Sequence, residues 1–429
     1  MKRITKEEWS WAFYDWGNSA YSLTITSAVL PIYFKMVSEN SGMSGTDSTA
    51  MWGYTISIST LIVAILAPII GSIADYKDNK KRIFTGFFIL GILATASLVL
   101  VPTHNPILLL GMYTLTVIGF AGANNVYDAL LVDVTDEKRM DRISSLGFGL
   151  GYIGSTIPFI ICIAIVMLAQ TGMIAIDIYL ACKSTFLITA TWWAVFTFPL
   201  LKNVKQIHYI EKEEAVILNS FKRLKRTFME VKKHKSIYLF LVAYFCYIDG
   251  VDTIIGMASS FGTDLGISMT TLMIILLLTQ FVAFPFTILY GRLSTKVGSK
   301  NMIYMGIITY TIICCFGYFV TDAIGFWILA MAVGSAQGGI QAISRSYYAK
   351  LVPKEKSSEF FGFYNIFGRF AAILGPLLVG IVTQLTGRSQ NGILSLVVLF
   401  VIGFIVLTQV PETENESIDL SIDVTPLIN

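Results

Sequence analysis

The sequence predicts an all-α integral membrane protein of twelve transmembrane helices arranged as two six-helix repeats, and three observations carry that prediction. Of its 429 residues, 55% are hydrophobic and only 14% charged, with a mean hydropathy of +0.68. Soluble domains carry about 25% charged residues, so at that rate roughly half of the expected charge is missing. The apolar residues gather in uninterrupted runs, each of the ~20-residue length that crosses a hydrocarbon core about 30 Å thick. Finally, 27 of the 31 Lys and Arg residues fall in alternate connecting segments, the asymmetry that sets the topology of a multi-span protein.

Twelve runs can be marked in order: 11–36, 52–74, 83–102, 106–128, 146–169, 180–201, 237–258, 270–290, 302–320, 325–343, 360–384 and 392–410. They are continuously apolar rather than alternating, which selects helices over a barrel. An even count places both termini on one side. The basic residues of the N-terminus and of segments 75–82, 129–145, 202–236, 291–301 and 344–359 make that side the cytoplasm, since the opposite loops hold only Lys35, Lys183 and Arg388. Arg369 lies inside a span. The start, MKRITKEEWS, carries no short apolar region ending in a cleavage site, so the first span is expected to act as its own insertion signal.

Four segments follow: an N-terminal half over 1–201, a cytoplasmic linker over 202–236, a C-terminal half over 237–410 and an acidic cytoplasmic tail over 411–429. The linker has helical character, and its Lys and Arg residues are expected to rest on anionic lipids of the cytoplasmic leaflet. A net charge of +3 is too near balance to suggest a nucleic-acid partner. The five cysteines, Cys162, Cys182, Cys246, Cys314 and Cys315, all sit in apolar runs without CxxC or Cys/His spacing, and read as small core hydrophobes. No Walker A sequence, HExxH or intramembrane Ser/His/Asp set is present, so neither an enzyme nor a cofactor or metal site is expected.

The two halves echo each other in the same direction. Gly71 and Asp75, followed by Lys77, Lys80, Lys81 and Arg82, come after the second span; Gly291, Arg292, Thr295, Lys296 and Lys300 come after the eighth. Gly147-Phe148 and Gly362-Phe363 open the fifth and eleventh spans, and the two offsets are 220 and 215 residues. Segment 71–82 resembles the cytoplasmic loop signature of the major facilitator superfamily: a Gly for close helix approach, an Asp four positions on, then basic residues. In that reading Gly71, Asp75, Lys80, Arg82, Gly291 and Arg292 form a gating loop pair, with Asp75 capping the next helix or pairing with a basic residue. Asp78 stands where the superfamily usually has Gly, and Thr295 where the second copy would have Asp. Parallel six-helix repeats of this kind place a substrate site at the midplane between the halves.

An ionisable group in a span costs about 2.5–3.5 kcal/mol on insertion scales, so each one needs a reason. The first span holds Asp15, Asn18 and Tyr21; the fourth Asn124, Asn125, Tyr127 and Asp128; the seventh Asp249 and Asp252; the tenth Gln337 and Gln341. In the superfamily these four spans line the central cavity. Asp15 lies about 10 Å beyond Glu8 and stands either as a cavity or gating group or as the partner of a cytoplasmic basic residue. Asp249 and Asp252, one turn apart, read either as a coupled pair able to take up a proton or as polar glue between helices. Asn365 and Arg369 belong to the eleventh span. Arg369 is suited to a substrate carboxylate or a cavity Asp, although snorkelling to the cytoplasmic surface is the favoured reading. All three histidines fall in loops, so protons, if coupled, would travel on carboxylates.

The stretches YDWGNSAY, YIDGVDTI, TQFVAFPFTILYGRLSTKVGSK and QGGIQAISRSYYAKLVPKEKSSEFFGFYNIFGRFAAILGPLLVG look like the vacuolar amino-acid effluxer branch of the major facilitator superfamily, which includes bacterial members. The resemblance implies the major facilitator fold and alternating-access transport of a small-molecule substrate, with amino-acid export as the role of the fungal autophagy-related members. Because the chain is compact, it looks more like a plasma-membrane protein of a bacterium, expected to act as a monomer. A non-transporting receptor of the same fold and a transporter of lipid-like or drug-like amphiphiles are the alternatives.

Overall fold

Twelve helices long and apolar enough to cross a membrane follow one another in the computed structural model, which describes residues 3–211 and 234–411. They are α1 (Lys6–Asn40), α2 (Gly45–Ala74), α3 (Asn79–Leu100), α4 (Pro106–Ala129), α5 (Glu137–Gln170), α6 (Ile178–Asn203), α7 (Lys235–Asp264), α8 (Thr271–Val297), α9 (Ser299–Gly317), α10 (Ala323–Leu351), α11 (Lys354–Thr386) and α12 (Ser389–Thr408). The helical content expected of the linker and nearly all of the tail fall on 212–233 and 412–429, outside the described residues.

All twelve expected spans are found, but several helices run beyond them at the face that carries the linker. α5 starts at Glu137 rather than near 146, α8 runs to Val297 rather than 290, α10 to Leu351 rather than 343, and α11 begins at Lys354 rather than 360. Hydropathy marks where a helix becomes apolar, whereas the helix itself continues as far as its backbone can be capped. Arg345, assigned above to a loop, is therefore on α10. At the other end of the chain, α1 is started by a capping box in which the Glu8 amide donates to Thr5 Oγ1 (3.2 Å) and the Thr5 amide to Glu8 Oε2 (2.7 Å).

Within α1 the residues Tyr21–Val29 form π-helix, ahead of Pro31. Proline has no N–H and its ring crowds the preceding turn, and the wider turn, in which the Leu30 amide reaches Ile25 O, takes up that misfit. Pro68 in α2 and Pro285 in α8, and Pro158 in α5 and Pro376 in α11, stand at matching places in the two halves. The helical repeat thus extends beyond the loops that first revealed it.

The halves meet through α2 on α11, α5 on α8 and α10, and α4 on α11. At the linker face the approach is close enough to require glycine. A Cβ on Gly71 would stand 2.1 Å from the Ser358 carbonyl oxygen, and one on Gly291 would stand 2.5 Å from Ser145 Cβ. The two loop glycines thus occupy related positions, each seating the end of one half's helix against the other half.

Candidate translocation path and gate

Arg345 is the centre of the contact between the halves. Its guanidinium, on α10, donates to Asp128 Oδ1 of α4 (3.1 Å) and to Asp15 Oδ2 of α1 (3.3 Å). Its Nε donates to Ser144 Oγ at 3.0 Å, and Nη2 also to the Ser144 carbonyl at 3.1 Å. Trp11 and Phe148 lie 4.7 and 4.2 Å from the guanidinium carbon, a stacked geometry that suits Arg and not Lys. Asp15 is therefore the partner of a basic residue, and the pair itself joins the two halves. The sequence reading missed Arg345 because it ends an apolar run. The signal was nevertheless present: Gln337, Gln341 and Arg345 are spaced four apart, on one helical face.

Nearer the linker face a second set of contacts closes the same seam. Asp75 does not cap the next helix. Its carboxylate accepts the amides of Ser358 (2.8 Å) and Glu359 (2.9 Å) in the first turn of α11, where the helix dipole favours an anion. The start of α3 is instead turned by Asp78 in the left-handed region at φ 62°; Asp tolerates this conformation better than most side chains, which explains how it stands where the superfamily has Gly. Lys80, fully buried, donates to Asp133 Oδ2 (2.7 Å) and across the seam to Ser357 Oγ (2.8 Å). Burial would raise the Asp133 carboxyl, but the Lys80 ammonium and the hydrogen bonds from His208 hold it below the ordinary carboxylate value.

In the second copy of the loop, Thr295 is exposed and, among the described residues, bonds its own helix, donating to the Arg292 carbonyl. The carboxylate of that side is supplied by the opposite half: Asp141 of α5 accepts from Ser299 Oγ (2.7 Å), Ser346 Oγ (2.6 Å) and Lys350 Nζ (2.7 Å). The expected gate residues Arg82 and Arg292 are exposed rather than part of the seam; Lys80, on the opposite side of its helix, takes the crossing contact instead.

Above the gate lies a layer of amides and hydroxyls. Asn124 Oδ1 accepts from Asn18 Nδ2 (2.6 Å) and from the Tyr14 hydroxyl (3.0 Å). Asn365 Nδ2 crosses the halves to Asn125 Oδ1 (2.9 Å), and the Tyr152 hydroxyl crosses to Gln341 Oε1 (3.0 Å). Gln341 Nε2 in turn approaches Asp252 Oδ1 at 3.5 Å. Asp249 turns elsewhere: it is fully buried and accepts the Gly375 amide of α11 (2.9 Å) and the Thr253 hydroxyl (3.4 Å). The two carboxylates expected to share one face thus address α10 and α11 separately. Gln337 does not join this layer but lines an apolar cavity of about 80 Å³ inside the C-terminal half, with Thr253, Phe261 and Gln280.

Tyr21 shares a 2.6 Å hydrogen bond with Thr116. Arg369 does not snorkel towards the linker face. Its ionisable neighbours are Tyr21 and Tyr113, and Tyr113 lies only about 10 Å from the start of α4 at the opposite face.

Two parallel six-helix halves, joined at one face by separable polar contacts around a polar interior, define a major facilitator superfamily transporter. The profile of the family described as vacuole effluxer Atg22 like matches residues 4–138 and 131–416, and the chain belongs to that family. It is 53% identical over 427 residues, covering 100% of both chains, to the uncharacterized MFS-type transporter YxiO of Bacillus subtilis (strain 168). It is 25% identical over 450 residues to autophagy-related protein 22 of Eremothecium gossypii, covering 90% of this chain and 87% of that one. Among solved structures, the MFS proton:xylose symporter XylE, bound to 6-bromo-6-deoxy-D-glucose, superposes with a TM-score of 0.74 at 12% identity and 96% coverage of both chains. The MFS transporter FucP in its outward conformation superposes with a TM-score of 0.73 at 13% identity, covering 95% of this chain and 99% of that one. The chain is a multi-pass membrane transporter and not an enzyme.

Proposed function

We propose that this transporter exports a small polar solute, an amino acid, across the plasma membrane of a bacterium by alternating access, coupled to protons. The observation that carries the reading is the gate at Arg345: it closes the linker face between two halves whose interior beyond it is lined by amides, hydroxyls and Asp252. The excess of Lys and Arg in the loops of that face supports its being cytoplasmic, so the state described is closed to the cytoplasm. Lys81, Arg82 and Lys205 line a basic cleft at the same face and suit anionic lipid headgroups. The path is built by one chain, which supports a monomer as the working unit. The family and the autophagy-related relative support the amino-acid substrate.

Asp252 is the carboxylate we assign to proton coupling, because it faces Gln341 and, through it, the other half. The bond that Asp249 accepts from Gly375 of α11 supports a helix-joining role. Reconstitution into liposomes with a panel of amino acids, with and without a pH gradient, tests the reading; no movement of any of them in either direction overturns the substrate. Asp252→Asn should abolish gradient-driven accumulation and leave solute exchange intact, and unchanged accumulation would remove Asp252 from the coupling.

A further inference from the structure

Arg345 and Arg369 both stand well inside their spanning helices, and their surroundings are opposite. Arg345 has two carboxylates, a hydroxyl and a carbonyl around it. Arg369, half-buried on α11, has neither a hydrogen bond nor an ion pair among the described residues. It stands about 18 Å into the helix from Ser357, one turn beyond Asn365 and its bond to Asn125 across the halves. An unpaired guanidinium at that depth costs several kcal/mol unless it meets water or an anion.

Its neighbours describe what it would meet. Tyr21 of α1 and Tyr113 of α4 are the ionisable groups close enough for their charge to act on it, and the Thr26 hydroxyl lies beside both phenols. These are O–H groups, of which Tyr21 is bonded to Thr116, and no carboxylate is among them. The part of α1 that presents Tyr21 and Thr26 is its π-helical segment, Tyr21–Val29, a distortion that concentrates at functional sites. The unpaired cation and the widened helix are independent features that meet at the same place.

We infer that Arg369, with Tyr21, Tyr113 and Thr26, forms an anion subsite that takes the carboxylate of the transported solute. The guanidinium offers the planar fork that matches a carboxylate. A solute carrying a carboxylate neutralises the buried charge as it binds, whereas an amide or an amine of the same size leaves it unpaired, so the site discriminates by charge. The subsite deepens the amino-acid reading and rests on it for the rest of the molecule it holds.

Thermal stabilisation of the purified full-length protein by L-alanine, lactate and propionate is compared with that by alaninamide, propionamide and ethylamine, alongside flux of the same compounds in liposomes. The native protein should be stabilised by at least one carboxylate, at a concentration at least tenfold lower than its amide requires. Arg369→Gln should remove that preference, and Arg369→Lys should retain part of it. Equal stabilisation by acid and amide, stabilisation by none of the carboxylates, or an undiminished preference in a well-folded Arg369→Gln overturns the subsite. If lactate or propionate binds in an Arg369-dependent way while no amino acid is moved, the subsite stands and the amino-acid substrate falls. Should alaninamide and ethylamine be moved as readily as alanine, transport stands and the subsite falls.

Discussion

At the scale of single residues, the gate is an ion-pair arrangement that is easier to break than to do without. Removing one partner from a buried pair costs about 3–5 kcal/mol, because the remaining charge is left without compensation. The side chains of Arg345 and Asp15 are 4% and 11% exposed, within the range where that penalty applies. Arg345→Gln would leave Asp15 and Asp128 facing each other across the inner end of the N-terminal half and would remove the stack on Trp11 and Phe148. The linker-face closed state should then lose population. With Cys315, which is exposed, replaced by Ser and a reporter Ala342→Cys introduced beside the seam, Arg345→Gln should raise labelling by an impermeant maleimide added from the linker face at least tenfold. Asp15→Asn should raise it less, since Asp128 still holds the guanidinium. Equal labelling in all three proteins would show that the closed state is maintained elsewhere.

At the scale of elements, the loop between α2 and α3 works as a latch whose strength depends on Asp133. The carboxyl is held below its ordinary value in the folded protein, so folding favours its ionised form; the stabilisation is complete above the unfolded value near 3.9 and is lost as pH falls through the lower, folded value. Asp133→Asn leaves the buried Lys80 ammonium without its anion and should lower the detergent-solubilised Tm at pH 7, an effect corresponding to roughly 3–5 kcal/mol. The gap from the native protein should hold from pH 7 down to about 4 and shrink only below it; a gap that closes between pH 7 and about 4.5 would mean that the Asp133 carboxyl is raised rather than lowered and the latch is weak. This latch was only half legible in the sequence. The spacing of Gly71 and Asp75 identified the loop, because close packing and a carboxylate at a fixed offset leave a local trace. What the carboxylate binds was not legible, since Ser358 and Glu359 lie nearly three hundred positions away and only the packing of α2 on α11 brings them near. The second latch was hidden for a related reason: Thr295 breaks the repeat in the sequence, and Asp141, from the other half, supplies the missing charge. Arg345 was lost to a boundary error, because a hydropathy window ends where charge begins although the α10 helix continues.

At the scale of the whole molecule, the gate lies at one face, and the alternating access proposed above requires it to open. Apart from the Trp11 and Phe148 rings stacked on Arg345, the contacts described there are polar or pass through glycine, so the seam can separate without exposing a broad apolar surface to water. Glu137 at the start of α5 and Lys354 at the start of α11 form the outermost pair, 2.9 Å apart and 55% and 39% exposed. An exposed pair of this kind contributes at most about 1 kcal/mol, so replacing it should barely disturb the closed state. Joining the same two positions covalently should do the opposite. In a background with Cys315→Ser, Glu137→Cys and Lys354→Cys together should transport normally when reduced. A short cleavable bis-maleimide linking them should stop net transport and exchange alike, since both require the linker face to open, and cleavage should restore them. Binding from the opposite face, followed by the carboxylate-dependent stabilisation, should persist in the linked protein, because the amide layer and Arg369 lie beyond the seam. Full transport by the cross-linked protein would contradict alternating access at this seam, and loss of binding together with transport would place the solute site within the gate itself.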